Sequence, residues 1–338
     1  MGNGGRQYWT VAAGDSDRDY SQVFLDFGVM LVGPGDSGKY FENEHAYAQE
    51  PSVRRFAEEV KPNDVVVLKR GMKNIIAAGI VDDRNDSYFH SEVFGDVDGF
   101  SLQHGRHVTW HKAQNEVEIA LPRGRLRRTY SPQAKEIAER IINENASLKS
   151  RKIPTDELQV IKDEDLIACL IDNGLSSGQA ENVISAFNRI RRLGGWYVKK
   201  AEHEKVVVSE HETRAFLVVP LLLALGWPEQ RLKIEWKNVD IAFFKNNYAD
   251  GASPTMILES KRLGFPLLRA EEQAKDYSNR FPNCSKLVAS NGIHYLLFVK
   301  EKNGWLPKAY LSLLKPLDRH SYYEEIKGAP ELLRQLLP

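Results

Sequence analysis

Three stretches decide the fold: KIEWKNVDIAFF (residues 233–244), TMILESKRL (residues 255–263) and KLVASNGIHYLLFVKE (residues 286–301). The first two read as neighbouring strands joined through NNYADGASP. The third reads as two strands turned at Asn291-Gly292, the strongest short hairpin signal. An amphipathic helix over residues 213–225 precedes them and another, over residues 270–280, lies between, giving the order α-β-β-α-β-β. Side chains on a strand alternate faces, so Glu259 and Lys261 point the same way, and the neighbouring strand can bring Asp240 up to them. Two carboxylates held together repel and desolvate each other unless a cation joins them, and Mg²⁺ is a hard ion that suits such a pair. A hard cation beside a lysine can supply and orient a nucleophilic water and stabilise charge building on a phosphoryl oxygen. A solvated strand face is the plain alternative for Glu-x-Lys. Against it, Glu259 follows Met256-Ile257-Leu258, so its charge ends a buried strand, where it needs a reason.

The chain around these stretches has 338 residues, too many for one compact core, so two or three domains are expected. Lysine plus arginine number 46 and aspartate plus glutamate 46, which excludes a globally basic coat for nucleic acid but not a local basic groove. Cys169 and Cys284 are the only cysteines, so a disulfide scaffold and a cysteine-rich zinc site are excluded and a cytoplasmic location is expected. The most apolar run, residues 216–227, is shorter than a membrane span, contains Pro220 and reads as a core helix. The opening MGNGGRQYW lacks the apolar stretch of a signal peptide. No membrane association is expected.

Residues 1–130 are mostly short strand-like runs (8–13, 65–70, 75–81, 107–112) with two candidate helices, YSQVFLDFG and SVRRFAEEV, between the first two; this pattern suggests a small barrel. Residues 131–200 turn helical. Ser131 caps a helix with Pro132 at its first position, and a second helix carries Ala180, Val183, Ile184, Phe187 and Ile190 and is expected to end at Gly194-Gly195. Residues 201–338 form the mixed region described first. The organisation expected is a multidomain α+β chain: barrel 1–130, helical connector 131–200, mixed-sheet domain 201–338. GPGDSGK (residues 33–39) imitates a phosphate-binding loop, but Tyr40 replaces the Ser or Thr that would hold Mg²⁺, Pro34 removes a donor and Asp36 repels phosphate, so it reads as a flexible loop.

SEHETRAFLVVPLLLALGW, IEWKNVDIAFF, ILESKR, EEQAKDY and ASNGIHYLLF together resemble the nuclease domain of type I restriction enzyme R subunits and their relatives in the PD-(D/E)XK superfamily. The resemblance spans roughly residues 206–298. It implies an α/β nuclease with a mixed central sheet in which Asp240 and Glu259 bind Mg²⁺, Lys261 orients or activates water, Glu210 assists, with Glu212 an adjacent candidate, and Gln273 and Tyr277 position the phosphate. Gln273 and Tyr277, four apart on a predicted helix, share a face that could meet a phosphate or Lys261.

YWTVAAGDSDRDYSQVFLDFGVMLVGPG, VKPNDVVVLKRGMKNIIAAGIVDD and GRHVTWHK resemble PUA-like domains, in particular EVE-type ones. This resemblance implies a reader that takes a modified base, a cytosine derivative, out of the stack into an aromatic cage. Trp9, Tyr40, Phe41, Tyr88, Phe89 and Trp110 are the cage candidates; two or three of the six are expected to face a ligand, since most aromatics in a small barrel are core. Lys69 and Arg70, read as lying in a turn, and the basic stretches around Arg125, Arg127, Arg191 and Lys199 are candidate contacts to the DNA backbone. A solvated linker and a helix C-terminus are the plain alternatives. The combined expectation is a Mg²⁺-dependent, modification-dependent DNA endonuclease of restriction, antiviral type, acting on double-stranded DNA as a homodimer. The alternatives are a non-cleaving reader of modified DNA or RNA, and a nuclease subunit of a larger antiviral complex.

Overall fold

The structure, a computed structural model, describes residues 6–14, 19–71, 73–83, 88–97, 99–204, 207–249, 251–265, 267, 276, 280–302 and 304–338, with the backbone alone for 201–204. The chain divides into two compact units, Met1–Pro154 and Thr155–Pro338.

In the first unit, β1 (Tyr8–Ala12), α1 (Ser21–Phe27), β2 (Val29–Val32), α2 (Pro51–Glu58), β3 (Val65–Arg70), β4 (Asn74–Val81), β5 (Tyr88–His90), β6 (His104–Glu118), β7 (Leu126–Arg128) and α3 (Pro132–Glu144) follow in order. The strands make one sheet, ordered β2-β6-β4-β3-β1-β7, with β5 also paired to β6. It is mixed: β1 and β3 run parallel, the other pairs antiparallel. The sheet curls into a half-barrel. No pairing joins β2 to β7 among the described residues, so the closed barrel expected from the strand count is not formed.

The expected three-part division is replaced by two units for a simple physical reason: the connector's helices have separate cores to fill. Helix α3, capped by Ser131 Oγ accepting from Ala134 N–H, buries Ala134, Ile137, Ala138 and Ile141 with Val65, Val67, Ile75 and Ala78 of the half-barrel sheet. Helices α4 (Asp163–Asp172) and α5 (Ser177–Glu204) bury Leu166, Leu170, Val183, Phe187 and Ile190 in the second unit. Helix α5 also runs on through Gly194-Gly195, where an end was expected. A Cβ on Gly194 would stand 2.8 Å from the Ile293 side chain, so this glycine permits close packing.

The second unit continues with α6 (Glu210–Thr213), a π-helical turn (Arg214–Val218), α7 (Val219–Ala224), β8 (Leu232–Trp236), β9 (Val239–Phe243), β10 (Met256–Ser260), β11 (Lys286–Ser290), β12 (His294–Glu301), β13 (Gly304–Ser312) and α8 (Ala329–Leu336). Its six strands lie in sequence order, β13-β12-β11-β10-β9-β8. Only β10 and β11 are parallel; this is the mixed central sheet expected. Both faces are covered. Met256 and Leu258 enter one core with Leu217, Leu221 and Leu332, while Ile257 enters another with Leu287, Phe298 and Trp305, the alternation a strand imposes. The stretch 233–244, expected as one strand, is a hairpin. Lys237 and Asn238 turn the chain with φ of 48° and 64°, and Glu235 (φ 53°), between the pairs Ile234↔Ile241 and Trp236↔Val239, falls opposite Asp240 with no residue inserted.

Candidate active site

The antiparallel register Met256↔Phe243, Ile257↔Ala242, Leu258↔Ile241, carried one step further, sets Asp240 across from Glu259. This is the approach expected from the sequence. Ser260, buried between Glu259 and Lys261, clamps Asp240: its backbone N–H donates to Oδ2 at 2.7 Å and its hydroxyl donates to the same oxygen at 2.8 Å. The other oxygen, Oδ1, is 3.1 Å from Nη1 of Arg214. Glu259 is 8% exposed and accepts from Lys261 Nζ at 2.9 Å, so the buried end of β10 carries a charge paired on the same face two residues on.

Glu210 and Glu212 separate cleanly. Ser209 and Glu212 form a capping box: Ser209 Oγ accepts from Glu212 N–H at 3.1 Å, and Glu212 Oε2 accepts from Ser209 N–H at 2.9 Å and from its hydroxyl at 2.7 Å. These bonds hold the Glu212 carboxyl below its usual range. Glu210 lies within electrostatic reach of the site instead. Desolvation raises its pKa, Lys261 opposes the rise, and Asp240 and Glu259 add to it. Glu210, Asp240, Glu259 and Lys261 therefore act on one volume. Gln273 and Tyr277 lie outside the described residues.

Sequence reasoning missed Arg214. It lies inside TRAFLVV, opens the π-helical turn and is 5% exposed. Besides Asp240 it reaches Glu235 Oε1 at 3.3 Å, and Nη2 lies 3.4 Å from His211 Nδ1. A charge on the inward face of an apolar helix was the available signal. With Arg214 and Lys261 set against Glu210, Asp240 and Glu259, the group carries one net negative charge when all five are ionised. Its donors are hard oxygens, which fit a divalent cation such as Mg²⁺, with Asp240 and Glu259 the residues that would hold it. Among the described residues no three carboxylate, imidazole or thiolate groups converge closely enough to form a complete metal cage.

In the first unit the six aromatic candidates part company. Trp9 is wholly buried with its indole N–H donating to Asp64 Oδ2 at 2.9 Å, and Trp110 is buried with its N–H donating to the Val29 carbonyl at 3.0 Å. Both are satisfied core residues. Tyr40, Phe41 and Tyr88 do gather. The Phe41 ring packs edge-on against Tyr40 and Tyr88, each with centroids 5.3 Å apart, and remains 56% exposed. Beneath it, the Tyr88 hydroxyl accepts from Tyr40 N–H at 3.0 Å and lies 2.8 Å from Nδ1 of buried His104. The Tyr40 hydroxyl contacts Glu58; burial first, then this bond, pushes its pKa up to about 12. Arg106 stacks over Phe56 and Tyr88 and donates to the Phe56 and Ala57 carbonyls. Phe89 packs on His107 with centroids 4.9 Å apart and covers Gly105, where any Cβ would run into its ring.

The 33–39 loop is pinned, contrary to the flexible loop expected. His90 donates to the Gly35 carbonyl at 2.8 Å, Tyr47 bonds the Gly38 carbonyl, and Asp36 accepts from Ser101 Oγ and Gln103 Nε2. A Cβ on Gly33 would overlap the Ser101 carbonyl.

Most proposed backbone contacts have structural partners. Lys69 lies within β3, not in a turn. It is 2% exposed, donates to the Pro122 carbonyl at 2.6 Å, and has its pKa lowered by burial and then by Arg127. Arg70 pairs with Asp19 at 2.8 Å and Glu116 at 2.7 Å, and Arg191 with Asp163 at 3.1 Å. Arg125 donates to the Gly33 carbonyl and covers Phe100. Arg127 donates to the Arg123 carbonyl at 3.1 Å on the exposed surface, and Lys199 is exposed on α5. A cleft of about 360 Å³ in the second unit, lined by residues that include Cys169, Lys308, Asp318 and Lys327, contains none of the predicted site residues.

A family model described as a domain of unknown function (DUF8426) matches residues 9–129. The match runs from β1 to just past β7 and stops before α3, so it takes in the half-barrel and leaves the carboxylate site outside. No curated protein matches the chain. Among the described residues no helix is long and apolar enough to cross a membrane.

Proposed function

We propose that the chain is a modification-dependent DNA endonuclease, in which the half-barrel reads a modified base, a modified cytosine, and the second unit hydrolyses a phosphodiester with Mg²⁺. The observation that carries this reading is the gathering of Glu210, Asp240, Glu259 and Lys261 around the ends of β9 and β10. A bound Mg²⁺ would neutralise charge developing on the scissile phosphate. Asp240, fixed by Ser260, and Glu259, fixed by Lys261, are the oxygen donors that would hold it. Lys261 Nζ, one hydrogen bond from Glu259, is placed to orient water or to donate to a phosphate oxygen. Glu210, with its raised pKa, is suited to take up a proton near the same volume.

The reader half of the proposal rests on Phe41, exposed and buttressed by Tyr40 and Tyr88, as a face on which a base can stack. Cleavage of both strands of a duplex calls for two such sites, hence two copies of the chain. The test is incubation of methylated, hydroxymethylated and unmodified duplex DNA with Mg²⁺, using the full chain and its Lys261→Ala variant. Cleavage of a modified duplex by the wild type alone is the expected result. Failure to cut any substrate, or equal cutting by the variant, sinks the proposal.

A further inference from the structure

Arg214 is an unusual neighbour for a carboxylate that is to hold a cation. Both lone-pair sites of Asp240 Oδ2 are taken by the Ser260 N–H and hydroxyl, which leaves Oδ1 as the oxygen open to a new ligand. Nη1 of Arg214 stands 3.1 Å from that oxygen. Two cations on one carboxylate oxygen repel, and at a buried position water screens them weakly.

Arg214 is also incompletely satisfied where it stands. Its Nε is buried with no hydrogen-bond partner, a costly condition for a guanidinium. Its second anion is Glu235, 3.3 Å from the same Nη1. Glu235 falls opposite Asp240 in the β8–β9 register and has φ of 53°, a conformation that costs energy in a residue with a side chain and recurs at functional sites. From this position its largely exposed carboxylate reaches Arg214. The π-helical turn that begins at Arg214 is a further departure from regular backbone of the kind that collects at such sites. Two irregularities on separate elements thus converge on one guanidinium shared between two carboxylates.

We propose that Arg214 is a resident counter-ion on Asp240 Oδ1, and that the site takes up a divalent cation only as Arg214 yields that oxygen and shifts toward Glu235. Arg214 then sets the threshold for metal occupancy and keeps the carboxylates together without metal. This inference rests on the nuclease reading of the site. It assigns Arg214 an effect on metal affinity opposite in sign to that of a residue that merely orients Asp240.

The experiment is calorimetric titration of the full chain with Mn²⁺ in the absence of DNA, for wild type and the variants Asp240→Asn, Arg214→Met and Glu235→Gln. Wild-type binding that is lost in Asp240→Asn is expected, with Arg214→Met binding at least about tenfold tighter than wild type. Glu235→Gln, which leaves Arg214 only Asp240, is expected to bind at least about threefold more weakly. Because Glu235 is largely exposed, that variant is informative even if Arg214→Met does not fold. If wild type and Asp240→Asn titrate alike, no metal is held at Asp240 and the nuclease reading falls along with this inference. If binding depends on Asp240 but Arg214→Met binds no tighter, or Glu235→Gln binds no more weakly, the counter-ion role alone is overturned.

Discussion

Replacing Asp240 by Asn separates two opposing effects whose balance follows from the geometry. Asp240 shares its surroundings with Glu210 and Glu259, and removing one of three carboxylates relieves repulsion, which by itself stabilises the folded unit. Against that, Asp240 accepts from Ser260 N–H and Oγ–H and pairs with Arg214 at 3.1 Å. At an effective dielectric constant near 20, a unit pair at this separation is worth ~5 kcal/mol before desolvation. The guanidinium left behind is buried and would retain only Glu235, and stripping one partner from a buried pair costs about 3–5 kcal/mol. Allowing for Glu235 and for the relieved repulsion, the net loss is about 2–3 kcal/mol. Hydrogen exchange read by mass spectrometry on peptides from β9 and β10 measures this without interference from the first unit. Protection there should fall roughly 30- to 150-fold, since about 1.4 kcal/mol is tenfold in an equilibrium constant. Peptides from β3 and β4 are the internal control and should not change. Unchanged or increased protection in β9 and β10 would show that carboxylate repulsion outweighs the Arg214 contact, and would refute the reasoning.

Three other outcomes are expected. Asp64 accepts from Gln7 N–H, Trp9 Nε1–H and Lys61 N–H at 3.0, 2.9 and 2.9 Å, so Asp64→Ala strands three donors and should cost the first unit roughly 3 kcal/mol or more in urea denaturation; a loss below about 1 kcal/mol contradicts this. His104 has its pKa lowered to about 4, by burial first and then by His90, so it is neutral in the folded state while the unfolded chain takes up its proton near 6.5. The unfolded state thus binds more protons between those values, and first-unit stability should fall by ~3 kcal/mol from pH 7 to pH 4 through this residue; His104→Gln should flatten that part of the profile. Phe41→Ala, at an exposed ring, should change stability by less than about 0.5 kcal/mol while weakening binding of modified-base DNA by about 1–3 kcal/mol, and equal affinity in a fluorescence anisotropy titration would remove Phe41 from the proposed base site.

The parts of this chain legible in the sequence are those where period and burial agree. Met256-Ile257-Leu258 is apolar on both faces because both faces of β10 are covered, and the charge that follows is conspicuous for that reason. Asn291-Gly292 marks its turn by chemistry, with Gly292 at φ 89°. The hairpin at residues 232–243 was hidden because its special conformations fall on Glu235, Lys237 and Asn238, none of which is a glycine. Gly194-Gly195 misled in the opposite sense, since a glycine needed for close approach looks in sequence like one needed for a helix end. Alternation likewise could not say which aromatic faces solvent: Trp9 and Phe41 are equally aromatic, and only the partner of the indole N–H and the openness above the phenyl ring distinguish them.

Arg214 and Lys69 show the same limit in charged form. Each stands in an apolar run where a solvated end or an ordinary helix position is the simpler reading, and each is buried with its head group on a specific oxygen, the Asp240 carboxylate and the Pro122 carbonyl. The two differ in what they leave over. Lys69 meets a neutral carbonyl and completes a structural contact. Arg214 is divided between two carboxylates, one clamped by Ser260 and one on a residue with positive φ, and retains an unsatisfied Nε. A buried charge with one neutral partner stabilises a single arrangement, whereas a charge shared between two anions has a second partner toward which it can shift. That difference is why Arg214 suits a movable counter-ion and Lys69 does not. Lys69→Met, which removes the buried charge, is accordingly expected to leave Mn²⁺ binding at the wild-type level while Arg214→Met tightens it.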